Sequence, residues 1–218
     1  MGACTGACVT PDVIVLGSSG HAKVCIELLR AGGHAVAYCI GAPDSGPSCL
    51  GVPVLHGDEH LKGLRSRGYE RVFVAIGANG LRQRLAAFAT DLGFHLVNAI
   101  TPQAVVSPTA RLGSGVAIMA GAVINADCTI GDLAIINTLA SVDHDGFIGN
   151  AAHVAPHCGL AGNVTVGERS FLGIGSKVIP EVTIGADVTA AAGSLIVTHI
   201  APGIRVARGP PKTKHRRK

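Results

Sequence analysis

The side chains able to move a proton gather in one stretch. Asn137, Asp143, His144, Asp145, His153, His157 and Asn163 stand near one another in a region otherwise rich in Ala, Val and Ile. An imidazole titrates near neutrality and gains basicity from flanking carboxylates. His144, between Asp143 and Asp145, therefore suits a general base that takes a proton from an amine or hydroxyl nucleophile. Gly162 follows His144 by eighteen residues. A glycine there lets an acyl carbonyl approach a backbone N–H, as oxyanion stabilisation requires. His153 and His157, four apart, also raise a metal reading. That spacing pairs ligands on a helix but not on the coil argued below, so no metal site is expected.

A second chemical signal lies near the start of the chain. The apolar run Val13–Leu16 is stopped by Gly17-Ser18-Ser19-Gly20-His21, and an amphipathic segment, Ala22 to Ala31, follows before Gly32-Gly33. Glycines between a strand and a helix let backbone N–H groups approach an anion. The dinucleotide fingerprint is incomplete, since no third glycine follows in register. No acid ends the second strand either, where Cys39-Ile40-Gly41-Ala42 stand. A nucleotide or nucleotide-sugar fits this pattern better than NAD.

Two kinds of element must position these residues. From Ala104 to His199 the chain divides into six-residue words without an insertion, among them AIINTL, ASVDHD, GFIGNA, AHVAPH and CGLAGN. The third letter is aliphatic nearly throughout, as at Ile118, Ile136, Val142, Val154 and Leu172, and the first is small or β-branched. A period of six matches neither helix nor simple strand and marks a solenoid, here a parallel β-helix of three words per coil. Sixteen words make roughly five coils stacked about 4.8 Å apart. Third-position aliphatics fill the shaft, and first positions share it and must be small. Fourth positions such as Gly113, Asn125, Gly131, Asn137, Asp143, Gly149, Gly167, Gly173 and Gly185 are expected at the corners, where Gly, Asn and Asp tolerate turn geometry. Before the words, strands at Val13–Leu16, Ala35–Ile40, Val72–Ile76 and Phe94–Asn98 alternate with helices at Ala22–Ala31, Asp58–Arg67 and Leu81–Leu92. Val52–Leu55 reads as an edge piece. This alternation predicts a small parallel α/β sheet.

Composition narrows the function. At 218 residues the chain has room for two modest domains. The net charge is +4, but Lys212, Lys214, Arg216, Arg217 and Lys218 lie in the tail, so the basic balance belongs to the tail. Aromatics make up 3%, too few for a base-stacking platform, so no nucleic-acid partner is expected. Seven cysteines include no paired metal spacing; Cys4 and Cys8 read as loose N-terminal residues and others as small hydrophobes. Met1-Gly2 lacks the Ser or Thr that myristoylation requires, having Gly6. Neither a signal peptide nor a long apolar span is visible, which predicts a soluble, cytoplasmic chain with no membrane partner.

The words V-D-H-D, A-H-V, A-G-N-V and F-L-G-I-G, preceded by strand–GSSGH–helix, resemble the NeuD/PglD family of bacterial sugar acyltransferases over about residues 12 to 210. The resemblance implies a loose N-terminus (1–11) and a Rossmann-like α/β domain for the nucleotide-sugar (12–100). It implies a left-handed parallel β-helix for acetyl transfer (101–202) and a C-terminal extension (203–218). It further implies acetyl-CoA as cosubstrate, no metal, and a homotrimer with active sites between adjacent solenoids. The substrate implied is a nucleotide-linked 4-amino-4,6-dideoxy sugar, GDP-perosamine favoured, made for O-antigen. By the same resemblance His144 is the general base and Asp145 the acid that raises its basicity. Asn137 holds the sugar's amino group. His153 and the Gly162 backbone contact the thioester end of acetyl-CoA, with Ile174 and Ala191-Ala192 along the cofactor arm. Ser19, Gly20, His21 and Gly77 grip the nucleotide-sugar. Gly41-Ala42 stand where UDP-sugar-binding relatives have an Asp pair, and Ala190–Ala192 replace an expected glycine. Sugar O-acetylation of the sialic acid type, and a solenoid that binds without catalysis, remain open alternatives.

Overall fold

The structure, a computed structural model, describes residues 13–207. Cys4, Cys8, the Met1-Gly2 start and the basic tail lie outside the described residues. The uninterrupted apolar run Val13–Leu16 forms β1, and all four residues are buried, as a strand covered on both faces requires. It leads into α1 (Gly20–Ala31), whose Cys25, Ile26 and Leu29 face the core. β2 (Val36–Gly41), β3 (Ser48–Cys49), β4 (Val52–His56), α2 (His60–Ser66), β5 (Arg71–Val74), α3 (Asn79–Asp91) and β6 (His95–Leu96) follow. The sheet order is β3-β4-β2-β1-β5-β6, parallel except for the β3–β4 pair. The expected edge piece thus lies one strand inside. Pro53 has no N–H to give, but the bond toward the β3 side comes from the Val54 N–H to the Pro47 carbonyl at 3.0 Å. Strand order reverses beside β1 and β5, which opens a crevice at their carboxyl ends.

From Ala99 onward the chain is a β-helix of two-residue strands that pair in parallel with the strand eighteen residues later, except the last pair, Thr189–Ala190 with Arg205–Val206, which is sixteen apart. Three sheets make the prism. The first face runs from Ala99–Ile100 to Arg205–Val206, the second from Val105–Val106 to Leu195–Ile196, and the third from Arg111–Leu112 to Thr183–Ile184. The shaft is filled by third-position Ile118, Ile136, Val154 and Leu172 and by first-position Ala122, Cys128, Ala134, Ala152 and Cys158.

The fourth letters stand at the corners as expected, but the left-handed backbone falls two residues on, at the sixth letter: Asp127, Leu133, Leu139, Asp145, Ala151, His157, Asn163, Arg169, Glu181 and Asp187 all have φ between 53° and 64°. The fourth-letter glycines answer a different constraint, the approach of the next coil. A Cβ on Gly149 would stand 2.6 Å from the Glu168 nitrogen, and one on Gly173 the same distance from the Ala192 nitrogen.

The α/β part packs on the prism. Second-position residues Ala99, Ala117 and Ile135, which point outward from the first face, are buried in one cluster with Ala22, Cys25, Ile26 and Leu29 of α1.

Candidate active site

His144 stands at the corner that follows the second face, exposed, in the turn after Ser141–Val142. Its Nδ1 lies 2.8 Å from Asp145 Oδ2. A carboxylate only accepts, so Nδ1 carries the proton and Nε2 keeps its lone pair. The Asp145 hydrogen bond, first among the causes, raises the His144 pKa above the ordinary imidazole value. Asp143 turns inward to the backbone: its Oδ1 accepts from the His144 N–H and from Asn125 Nδ2, each at 2.8 Å, and the Asn125 bond foremost holds its pKa down. Of the two flanking carboxylates, Asp145 thus serves the ring and Asp143 fixes the loop.

Gly162 lies against the same ring, one coil on. A Cβ there would meet His144 Cε1 at 2.5 Å and Nε2 at 2.6 Å. Its fifth-letter N–H also differs from those of AIINTL and ASVDHD. In AIINTL and ASVDHD the fourth-letter Asn137 and Asp143 side chains accept the fifth-letter N–H of Thr138 and His144. The fourth letter before Gly162 is Ala161, which has no acceptor to offer, and among the described residues no acceptor pairs with the Gly162 N–H. A free N–H donor and a free imidazole nitrogen therefore share one corner.

Asn137 and His153 form a second group on the first face. Asn137 Oδ1 accepts the Thr138 N–H at 2.8 Å, so its Nδ2 is the atom 3.0 Å from His153 Nε2. His153 is 9% exposed and packs edge to face on Phe171 with centroids 5.1 Å apart. Burial first, then the charges of Arg82 and His21, push its pKa down to about 4. The Gly77 backbone beside the ring opposes this slightly, yet Nδ1 is buried without a hydrogen-bond partner among the described residues. His153 is thus a neutral imidazole that accepts at Nε2. It lines, with Asn137, Pro156, Ile174, Ala191 and Ala192, a mainly apolar hollow of about 390 Å³.

The structure separates some residues that the sequence reading groups. Asn137 and His153 lie across one face of the prism from His144, so a single chain does not bring His153 beside Gly162. His153 and His157 do not converge either, because His153 is on a strand and His157 in a turn with φ 59°. Among the described residues no group of three His, Cys, Asp or Glu could hold a metal.

The α/β part contributes two adjoining hollows. Ser19, with Ser18, Gly41 and Ile76, lines one of about 350 Å³ at the carboxyl ends of the strands. Gly77, with Ala78, Asn79 and Phe171, lines another of about 280 Å³. Phe171 and Thr189 line both this hollow and the Asn137 hollow, which makes the two neighbours on one track along the coil. His21 sits inside the junction with its Nε2 3.6 Å from Cys25 Sγ, and burial followed by Arg82 lowers its pKa. Gly20, the first residue of α1, has open space around its Cα and lines none of these hollows.

Sequence reading missed Arg82. It is 1% exposed and faces no carboxylate among the described residues. Its guanidinium donates to the carbonyls of Leu133, Ile76, Gly77 and Ala151 and to Asn79 Oδ1 at 2.7 to 3.1 Å. Asn79 Nδ2 donates in turn to the Arg169 carbonyl at 2.8 Å. Leu133, Ala151 and Arg169 are sixth-letter residues eighteen apart, so two α3 side chains hold one corner across three coils. An arginine in an amphipathic helix reads as solvated, and only the docked prism gives it acceptors.

Comparison with known proteins places these hollows in context. The PglD N-terminal domain family matches residues 12–88. PerB from Caulobacter crescentus, solved in complex with CoA and GDP-perosamine, is 56% identical, covers 89% of this chain and 92% of its own, and superposes with a TM-score of 0.86. Two further structures of the Caulobacter crescentus perosamine N-acetyltransferase carry a histidine replaced by asparagine or alanine. The acetyltransferase domain of PglB from Neisseria gonorrhoeae, with acetyl coenzyme A bound, is 36% identical over 90% of this chain and 95% of its own, with a TM-score of 0.83. A bifunctional GlmU protein of Sphingopyxis alaskensis is 27% identical over 62% of this chain, which spans 39% of that protein's length.

Proposed function

Since the chain belongs to the NeuD/PglD family of sugar acyltransferases, we propose that it transfers the acetyl group of acetyl-CoA to the 4-amino group of a GDP-linked 4-amino-4,6-dideoxy sugar, GDP-perosamine foremost. The observation that carries the chemistry is the corner where His144 Nε2 is free, Nδ1 is tied to Asp145 and the Gly162 N–H is unpaired. The sugar nitrogen adds to the thioester carbonyl, and its proton passes to His144 Nε2. The Gly162 N–H stabilises the oxygen as it gains charge. The C–S bond then breaks, CoA leaves as thiolate, and the amide remains. Transfer is direct, with no acyl-enzyme.

In this reading residues 12–100 hold the nucleotide-sugar and residues 101–202 carry out transfer. Ser19, Gly20, His21 and Gly77 bind the nucleotide-sugar along the track that ends at Asn137, and His153, Ile174 and Ala192 line the acetyl-CoA arm. Because His144 lies across a face of the prism from that hollow, the proposal requires a second copy: the base of one protomer faces the Asn137 hollow of its neighbour in a homotrimer. No helix among the described residues is long and apolar enough to cross a membrane, and we propose a cytoplasmic site of action.

The test follows thiol release from acetyl-CoA with GDP- and UDP-linked 4-amino-4,6-dideoxy sugars beside free sialic acid. Turnover with the GDP-amino sugar supports the proposal. Turnover with sialic acid alone replaces it with O-transfer, and silence across the panel removes it.

A further inference from the structure

The hollow at the carboxyl ends of β1, β2 and β4 is walled by aliphatic side chains and serine hydroxyls, and one charged residue, Asp58, lines it. The Asp58 carboxylate is exposed and has neither hydrogen-bond nor ion-pair partner among the described residues. Its backbone is nonetheless held in place. The preceding residue, Gly57, donates its N–H to the Gly41 carbonyl at 3.0 Å, and His56 Nε2 lies 3.0 Å from the Ser45 carbonyl, so the loops after β2 and β4 are tied together. Gly41 lets two serine hydroxyls pack against the floor between them. A Cβ there would stand 2.5 Å from Ser18 Oγ and 2.8 Å from Ser45 Oγ, which are themselves bonded at 2.8 Å. A ring entering the hollow therefore meets hydroxyls on its floor and one charged group in its lining, the unpaired Asp58 carboxylate.

We propose that Asp58 reads the base of the bound nucleotide and selects guanine. This rests on the GDP-sugar reading above and extends it to a residue. Guanine presents two neighbouring donors, N1–H and the 2-amino group, which match the two oxygens of a carboxylate in a bidentate pair. Uracil presents one N–H between two carbonyl oxygens that repel the carboxylate, and adenine presents an acceptor where guanine has N1–H. The hollow, about 350 Å³, has the size of an ordinary small-ligand site.

The experiment measures GDP, IDP and UDP affinity by calorimetry for the full chain and for Asp58→Ala and Asp58→Asn, with CoA affinity taken on each protein as a check of folding. IDP differs from GDP only by the missing 2-amino group. The full chain should bind GDP about tenfold or more tightly than IDP, and UDP more weakly than GDP. Both variants should bring the GDP-to-IDP ratio close to one while binding CoA as before. Equal affinity of the unaltered protein for GDP and IDP, or a GDP-to-IDP ratio untouched by either variant, overturns the role of Asp58 and leaves the GDP-sugar reading standing. Tighter UDP than GDP binding by the unaltered protein overturns that reading itself.

Discussion

At the residue scale, the proposed chemistry turns on which nitrogen of His144 is free. Asp145 fixes the proton on Nδ1 and raises the pKa. A raised pKa means that the ring stays protonated to higher pH, so the base is lost as pH falls through that value. The rate should therefore decline on the acid side. Asp145→Asn should shift that limb to lower pH and reduce plateau turnover less than His144→Ala, which should lose about 10²- to 10⁴-fold in kcat. Steady-state rates from pH 5 to 9 check both. Full turnover in a folded His144→Ala protein would remove the base from the mechanism. Gly162→Ala tests the same corner. Its methyl meets the imidazole, the far end of an exposed side chain, so the ring should swing away from Asp145 with little change in Tm and a fall in kcat of tenfold or more, on the order of a lost oxyanion or base contact. A drop in Tm with kcat preserved would contradict this.

At the element scale, α3 works as the bracket between sheet and prism. Arg82 satisfies four carbonyls, those of Leu133 and Ala151 buried, and Asn79 at once. Arg82→Leu orphans the two buried ones, each at about 1–3 kcal/mol, and should destabilise the fold by at least about 2 kcal/mol in urea unfolding. Arg82→Lys should recover part of this, because an ammonium reaches some of the same carbonyls but cannot span the fork. A neutral Arg82→Leu would mean that the bracket is dispensable. Because Ile76 and Gly77 belong to the loop that Arg82 grips, the surviving Arg82→Lys enzyme should show a raised KM for the nucleotide-sugar ahead of any fall in kcat. Equal effects on both would argue that Arg82 acts on stability alone.

At the scale of the whole molecule, the separation of His144 from the Asn137 hollow makes a prediction about assembly. His144→Ala and Asn137→Ala proteins, each inactive, should regain activity when unfolded together and refolded as mixed trimers, toward roughly one quarter of the wild-type value if both halves meet at random. Activity no greater than the sum of the separate proteins would place both halves of the site in one chain. The trimer itself is checked by light scattering, where a monomeric active enzyme would exclude a shared site.

The sequence by itself determined the prism, because a six-residue period with aliphatic third letters permits one way of burying them, and Ile118, Ile136 and Val154 are in the shaft where that period puts them. It also determined the candidate base, since a histidine between two aspartates at an outward letter needs no tertiary partner to be noticed. Which aspartate serves the ring came from the resemblance and not from the residues: Asp143 and Asp145 are alike in local sequence, and only the turn, with Asp145 at φ 57°, sends one to the imidazole and the other to Asn125. The same holds for the corner glycines, whose reason is the backbone of a coil eighteen residues away. Arg82 and the small outward residues Ala99 and Ala117 lay beyond reach for a common cause. Their partners come from the other half of the chain, and local periodicity carries no record of which surface a second domain will cover.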